Sequence, residues 1–87
     1  MFSEKDLEIM VKKIIIDTLK LNNNLEEIPS NESLKDSIGL DSLDMIEIQL
    51  VLQEEFNIDI TDEDLSTMTT IENICSYILG KNNMLVK

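Results

Sequence analysis

Apolar residues recur at three- and four-residue intervals in three stretches of the chain. In the first, Leu7, Met10, Val11, Ile14, Ile15 and Thr18 share one face, and Leu21 extends it. This spacing predicts an amphipathic helix from about Glu4 to Leu19. Ser3 is placed to cap it, and Asp6 falls in the first turn, where negative charge complements the helix dipole. The run Ile14-Ile15-Ile16 lowers helix propensity slightly, but the longer period outweighs a short β-branched stretch. Asn22-Asn23-Asn24 is the predicted stop.

The second stretch runs from Ser42 to Phe56, with Asp41 as the expected N-cap and Asp44 near the start. Met45, Ile46, Ile48, Leu50, Val51, Leu52 and Phe56 cover more of this helix's circumference than one core face requires. The third stretch is Ile71, Ile74, Cys75, Ile78 and Leu79, which predicts a helix from Ile71 to about Leu79. Thr70 is its expected cap, Glu72 lies in its first turn, and Gly80 is placed to end it.

The segments between are unequal. Residues 22–41 form a long connection, pinned by Leu25, Ile28, Leu34, Ile38 and Leu40, with Pro29 stiffening it and Gly39 permitting a turn. Connections this long are uncommon in small domains and call for a reason. Its apolar anchors argue for an ordered path. Ile58-Asp59-Ile60 is too short for more than an extended linker. Thr61-Asp62-Glu63-Asp64 carries a helix-start signal, so a short helix is expected near Asp62 to Thr67. The pattern therefore predicts an all-α fold, a four-helix bundle of three main helices and one short helix. Residues 1–80 are expected to form a single domain, and 81–87 a flexible C-terminal tail.

Composition sharpens this picture. With two Phe, one Tyr and no Trp among 87 residues, the core has to be aliphatic. Eighteen acidic residues against seven lysines, with no arginine or histidine, give a formal net charge of -11. Such a surface repels phosphate backbones, which excludes generic nucleic-acid binding, and favours basic protein partners. Cys75 is the single cysteine, so no internal disulfide forms, and a reducing cytoplasm is the expected location. Cys75 lies on the inward stripe with no basic neighbour to lower its pKa, as a buried rather than reactive thiol. No apolar run approaches the roughly 20 residues that span a bilayer, so stable membrane insertion is not expected, and a monomer is.

Chemistry has few places to reside. The absence of histidine removes the common Ser-His and Cys-His pairs. Residues 59–64 are rich in carboxylates but lack the glycine and terminal glutamate of an EF-hand loop. What remains is Gly39-Leu40-Asp41-Ser42-Leu43-Asp44. A serine at a helix start is most often a cap. Ser42 also has the layout of a modification site: it follows a long connection, opens a helix, and has amide groups nearby that accommodate a phosphoryl group.

Asp41-Ser42-Leu43 resembles the prosthetic-group attachment motif of the acyl carrier protein family. The likeness extends through Leu40 to Ile48, Glu54-Glu55-Phe56, residues 60–64, Met68-Thr69-Thr70-Ile71 and Tyr77-Ile78. It implies an acyl-carrier-protein-like four-helix bundle that is no enzyme. A phosphopantetheinyl transferase would attach 4'-phosphopantetheine covalently to Ser42, with Asp41 helping to position the attachment region and magnesium. The arm's thiol would carry acyl groups as thioesters, in fatty acid biosynthesis first of all. Leu40 departs from the alanine frequent there, and Ser66-Thr67-Met68 from a more charged segment, which keeps a polyketide or other specialised acyl pathway as the alternative. A different class, an acidic interaction module in which Ser42 is only a cap, also stays open.

The resemblance further implies a docking face on the second main helix for acyl-transfer, elongation and other acyl-processing enzymes with basic surfaces. From Asp36 to Gly80 there are eleven acidic residues and no lysine. Asp44, Glu47 and Glu54 occupy neighbouring sectors, interleaved with Leu43, Ile46 and Leu50. For Ile46 and Leu50 a place in the core is an equally good expectation. The expected core is Leu7, Val11, Ile14, Leu52, Phe56, Ile71, Ile74 and Ile78.

Overall fold

In a computed structural model, which describes residues 4–86, three long helices carry the architecture: α1 (Glu4–Leu19), α3 (Ser42–Phe56) and α5 (Ile71–Val86). Two single-turn helices, α2 (Leu34–Ser37) and α4 (Asp62–Leu65), and a 3-10 turn at Leu25–Glu27 lie between them. No strand occurs among the described residues. The all-α fold with three main helices is as the periodicity predicts, and α1 packs against both α3 and α5. None of the described helices is long and apolar enough to cross a membrane.

Local chemistry sets the helix boundaries. Ser3 lies outside the described residues, so its expected capping role is not described. α1 ends where expected, but Lys20 rather than the asparagine run makes the turn: it takes a left-handed conformation at φ 53°. The Leu21 amide then donates to the Ile16 carbonyl at 3.0 Å, which closes the last turn. α3 ends the same way at Asn57, φ 54°, a residue type suited to that region. Thr61 caps α4 by accepting from the Asp64 amide at 3.0 Å. Thr70 caps α5 by accepting from the Asn73 amide at 3.0 Å.

Three details differ from expectation. α4 closes at Leu65 rather than Thr67, because the Ser66 and Thr67 hydroxyls bond back to the Glu63 and Asp64 carbonyls at 2.6 and 2.7 Å. α5 does not end at Gly80 and runs to Val86. A glycine weakens a helix without forbidding it, and Gly80 has no positive φ. The long connection, too, is more structured than a pinned loop: it holds the 3-10 turn and α2.

That connection is fixed at both ends. Ile28, Leu34 and Leu40 are buried, while Leu25 and Ile38 are half-buried. The Leu34 amide donates to the Thr69 carbonyl at 2.8 Å, and the Glu72 amide to the Ser30 carbonyl at 3.0 Å. The Ser30 hydroxyl donates to Glu8 on α1 at 2.6 Å. Gly39 takes φ +73° and turns the chain into α3.

The core gathers Leu7, Val11 and Ile15 from α1, Met45, Ile48 and Leu52 from α3, and Ile71, Ile74, Cys75 and Ile78 from α5. Ile14 and Phe56, expected inside, are only half-buried and pack against its margin. Ile58, Ile60 and Met68 join the core from the segments flanking α4. The extended Ile58–Ile60 linker is held by two glutamines one turn apart on α3. Buried Gln49 donates to the Ile60 carbonyl at 2.6 Å, and Gln53 accepts from the Ile60 amide at 2.9 Å. Both backbone polar groups of one residue are thereby satisfied by side chains.

Candidate attachment site

Asp41, not Ser42, caps α3. Its carboxylate accepts from the Asp44 amide at 2.9 Å, while its own amide donates to the Asp44 carboxylate at 3.2 Å. This reciprocal pair is a capping box with aspartate at both positions. It uses the amides of Asp41 and Asp44 and leaves those of Ser42 and Leu43 without an intrahelical acceptor. Ser42 is therefore the first residue of the helix proper, exposed, with its hydroxyl not needed for the cap. The frequent role for a helix-start serine is taken by its neighbour.

Ser42 also borders a cleft of about 380 Å³. Its apolar lining is Leu34 of α2, Met45 and Ile46 of α3 and Leu65 of α4; Lys35, Asp62, Ser66 and Thr69 line it with Ser42. The three helices meet here because the connection is strapped to the start of α5 and the linker to the back of α3. No local pattern marks Lys35, which precedes the acidic stretch that begins at Asp36 and joins Ser42 only through the fold. Ser37, the nearest other serine before the motif, has its hydroxyl oxygen buried without a hydrogen-bond partner.

The outward face of α3 lies beside this site. Leu43 is 70 % exposed, Leu50 57 % and Ile46 44 %, so neither Ile46 nor Leu50 is core. Glu47 and Glu54 are exposed, whereas Asp44 is half-buried and engaged in the capping box. The predicted set is thus brought onto one helix. Asp44 is the member whose carboxylate has a structural partner; Met45, Ile48, Gln49 and Leu52 of the same helix face inward.

Elsewhere, the Tyr77 hydroxyl lies 2.7 Å from the Asp64 carboxylate and 2.9 Å from the Asp59 carbonyl, tying α5 to α4. Partial burial raises its pKa to about 12, reinforced by the hydrogen bond to Asp64 and the charges of Asp64 and Asp59. The Lys81 ammonium lies 5.4 Å from the centre of the Tyr77 ring.

Comparison with known proteins gives one answer. A family model described as a phosphopantetheine attachment site matches residues 11–78. The chain is 39% identical over 77 residues to the acyl carrier protein of Buchnera aphidicola subsp. Schizaphis graminum, covering 88% of this chain and 95% of that one. It is 38% identical over 78 residues to that of Buchnera aphidicola subsp. Acyrthosiphon pisum (strain 5A), covering 90% and 95%. Among solved structures, the acyl carrier protein from Enterococcus faecalis superposes with a TM-score of 0.74 at 25% identity, over 92% of this chain and 99% of that one. Fold, attachment-site match and full-length relatives agree: the chain belongs to the acyl carrier protein family.

Proposed function

We propose that 4'-phosphopantetheine is attached to Ser42, and that the arm serves fatty acid biosynthesis. The general role follows from family membership: the chain carries acyl intermediates by means of phosphopantetheine. The observation that supports Ser42 in particular is its exposed hydroxyl, relieved of capping by Asp41 and placed at the mouth of a cleft. The residues there fit the group. A phosphoryl ester on the first residue of α3 lies beside two amides without intrahelical acceptors and within the favourable end of the helix dipole.

The attached group supplies a terminal thiol that takes acyl groups as thioesters. The chain's own residues hold the arm, fix the start of α3 and present a surface to partners. Asp41 sets the turn that exposes Ser42. Leu43, Ile46 and Leu50 offer apolar contact at the centre of the surface, with Glu47 and Glu54 as an acidic rim that steers basic enzymes. Those partners are a phosphopantetheinyl transferase and the acyl-transfer, elongation and other acyl-processing enzymes. Leu40, at a position where alanine is frequent in fatty acid carriers, is buried in the core.

Incubation with coenzyme A, magnesium and a transferase active on related carriers is the direct test. Intact mass is expected to rise by one phosphopantetheine, with the adduct mapping to Ser42 and absent from Ser42→Ala. Folded protein that stays unmodified, or an adduct on another residue, sinks the assignment.

A further inference from the structure

The prosthetic arm begins with a phosphodiester, and beyond the helix-start amides that receive it the charged side chains around it are nearly all acidic. Asp41, Asp44 and Asp62 lie at or near the attachment point, and from Asp36 to Gly80 every charged residue is acidic. One cation breaks the pattern. Lys35 lines the same cleft as Ser42 and is the sole basic residue among those that do. It is exposed, and no ion pair or hydrogen bond engages it among the described residues. Its backbone is not free to wander, since Leu34 beside it is fully buried and bonded to Thr69.

We propose that Lys35 is the electrostatic anchor of the arm. Its ammonium pairs with the phosphodiester on Ser42 and lays the first part of the arm along the cleft. This rests on Ser42 being the attachment point. Beyond the helix-start amides at its base, an anion set among these carboxylates has one favourable side-chain partner in the cleft, Lys35. Leu34, Met45 and Leu65 line the same cleft, which gives the uncharged remainder of the arm an apolar surface to lie on. Without the lysine, the same carboxylates drive the phosphate outward. Lys35 is thus a positioning residue that sets how often the arm is folded back against the carrier.

The test compares the full-length protein before and after loading, by NMR. In loaded wild-type protein the Lys35 ε-methylene resonances are expected to shift, and arm protons to show nuclear Overhauser contacts to Leu34, Met45 or Leu65. High ionic strength should remove both effects, because it screens the ion pair. In Lys35→Gln, loaded to the same mass, the contacts should be lost; Lys35→Arg should keep them. The amide spectrum of each variant reports whether the fold is retained. If an adduct forms on Ser42 but the Lys35 resonances stay in place, or the contacts are missing in wild type or equal in Lys35→Gln, the anchor is overturned and the attachment site stands. If wild-type protein accepts no adduct, the attachment site falls, and the anchor with it. The Lys35 shift is read on wild type alone, so slow loading of a variant does not obscure the result.

Discussion

Asp41 and Ser42 are adjacent, both exposed and both part of the proposed attachment motif, yet the structure gives them opposite thermodynamic profiles. Ser42→Ala removes a hydroxyl that the cap does not use, at a position where alanine is a good helix former. Its effect on stability should stay within about 0.5 kcal/mol, while loading is abolished. Asp41→Ala removes the acceptor of the 2.9 Å bond from the Asp44 amide. The reciprocal bond from the Asp41 amide survives the substitution, so only half of the box is lost. The middle of the range for N-caps applies, about 1 kcal/mol. For a chain of this size that lowers Tm by about 4–8 °C. Asp41→Asn separates charge from capping, because the amide oxygen accepts the same bond; it should restore most of that stability.

Urea or thermal unfolding followed by circular dichroism reads the stability, and intact mass after timed incubation with transferase reads the loading. Loading is expected to be slowed in Asp41→Ala and to remain slow in Asp41→Asn, since the motif carboxylate is missing from both. Two results refute the reasoning. Equal destabilisation by Ser42→Ala and Asp41→Ala means that the serine shares the cap. An Asp41→Asn protein as unstable as Asp41→Ala means that Asp41 acts through its charge on the helix dipole rather than through a bond.

Four further expectations follow from other parts of the structure. Gln49→Leu strands the buried Ile60 carbonyl and should cost about 1–3 kcal/mol, with the Ile58–Ile60 amides exchanging first; unchanged protection there shows that the clasp is unimportant. Glu47→Lys with Glu54→Lys should weaken binding to basic partner enzymes most at low salt, with helix content retained; equal affinity at every ionic strength moves the docking face elsewhere. Tyr77 is the single tyrosine, so its ionisation can be followed by ultraviolet absorption, with a folded midpoint near 12 against 10.0 for the free side chain. Because the folded chain holds that proton more tightly, the stabilisation is complete below pH 10 and lost as pH rises through 12; an unshifted midpoint rules out the bond to Asp64. Gly80→Ala meets no atom within 4 Å of the added Cβ and should raise stability by about 0.5–1 kcal/mol, whereas no gain indicates that the last turns of α5 contribute little.

Helix limits were legible in the sequence wherever they depend on bonds within a few residues. Asp41 with Asp44, Thr61 with Asp64, and Thr70 before its apolar stripe each bond three positions along, so spacing alone reveals them. Gly80 misled because a glycine signals the end of a helix only when its backbone turns left-handed, and here Lys20 and Asn57 make those turns. The clasp of Gln49 and Gln53 on Ile60 joins residues 11 and 7 apart in the chain, and no local pattern marks which glutamine is buried. The cleft was illegible for the same reason, being assembled from α2, α3 and α4, and with it went Lys35, an ordinary loop lysine until the fold sets it beside Ser42.

α3 explains why a helix so evenly apolar was ambiguous and what the ambiguity means. A core-facing helix needs a stripe on one side, which Met45, Ile48 and Leu52 supply. Leu43, Ile46 and Leu50 point the other way and gain little from folding, since the burial that stabilises an apolar side chain is mostly missing. Glu47 and Glu54 stand on the same helix in an already acidic protein, where their repulsion is mildly unfavourable. Neither feature helps the isolated chain. Both become favourable when a basic surface with an apolar centre covers the face: the leucines and Ile46 are then buried, and the carboxylates find counter-charges at the rim. On the proposed function, the free energy missing from the fold is held in reserve for encounter, on the helix whose first residue is Ser42, so that a partner docked there would lie against the base of the proposed arm.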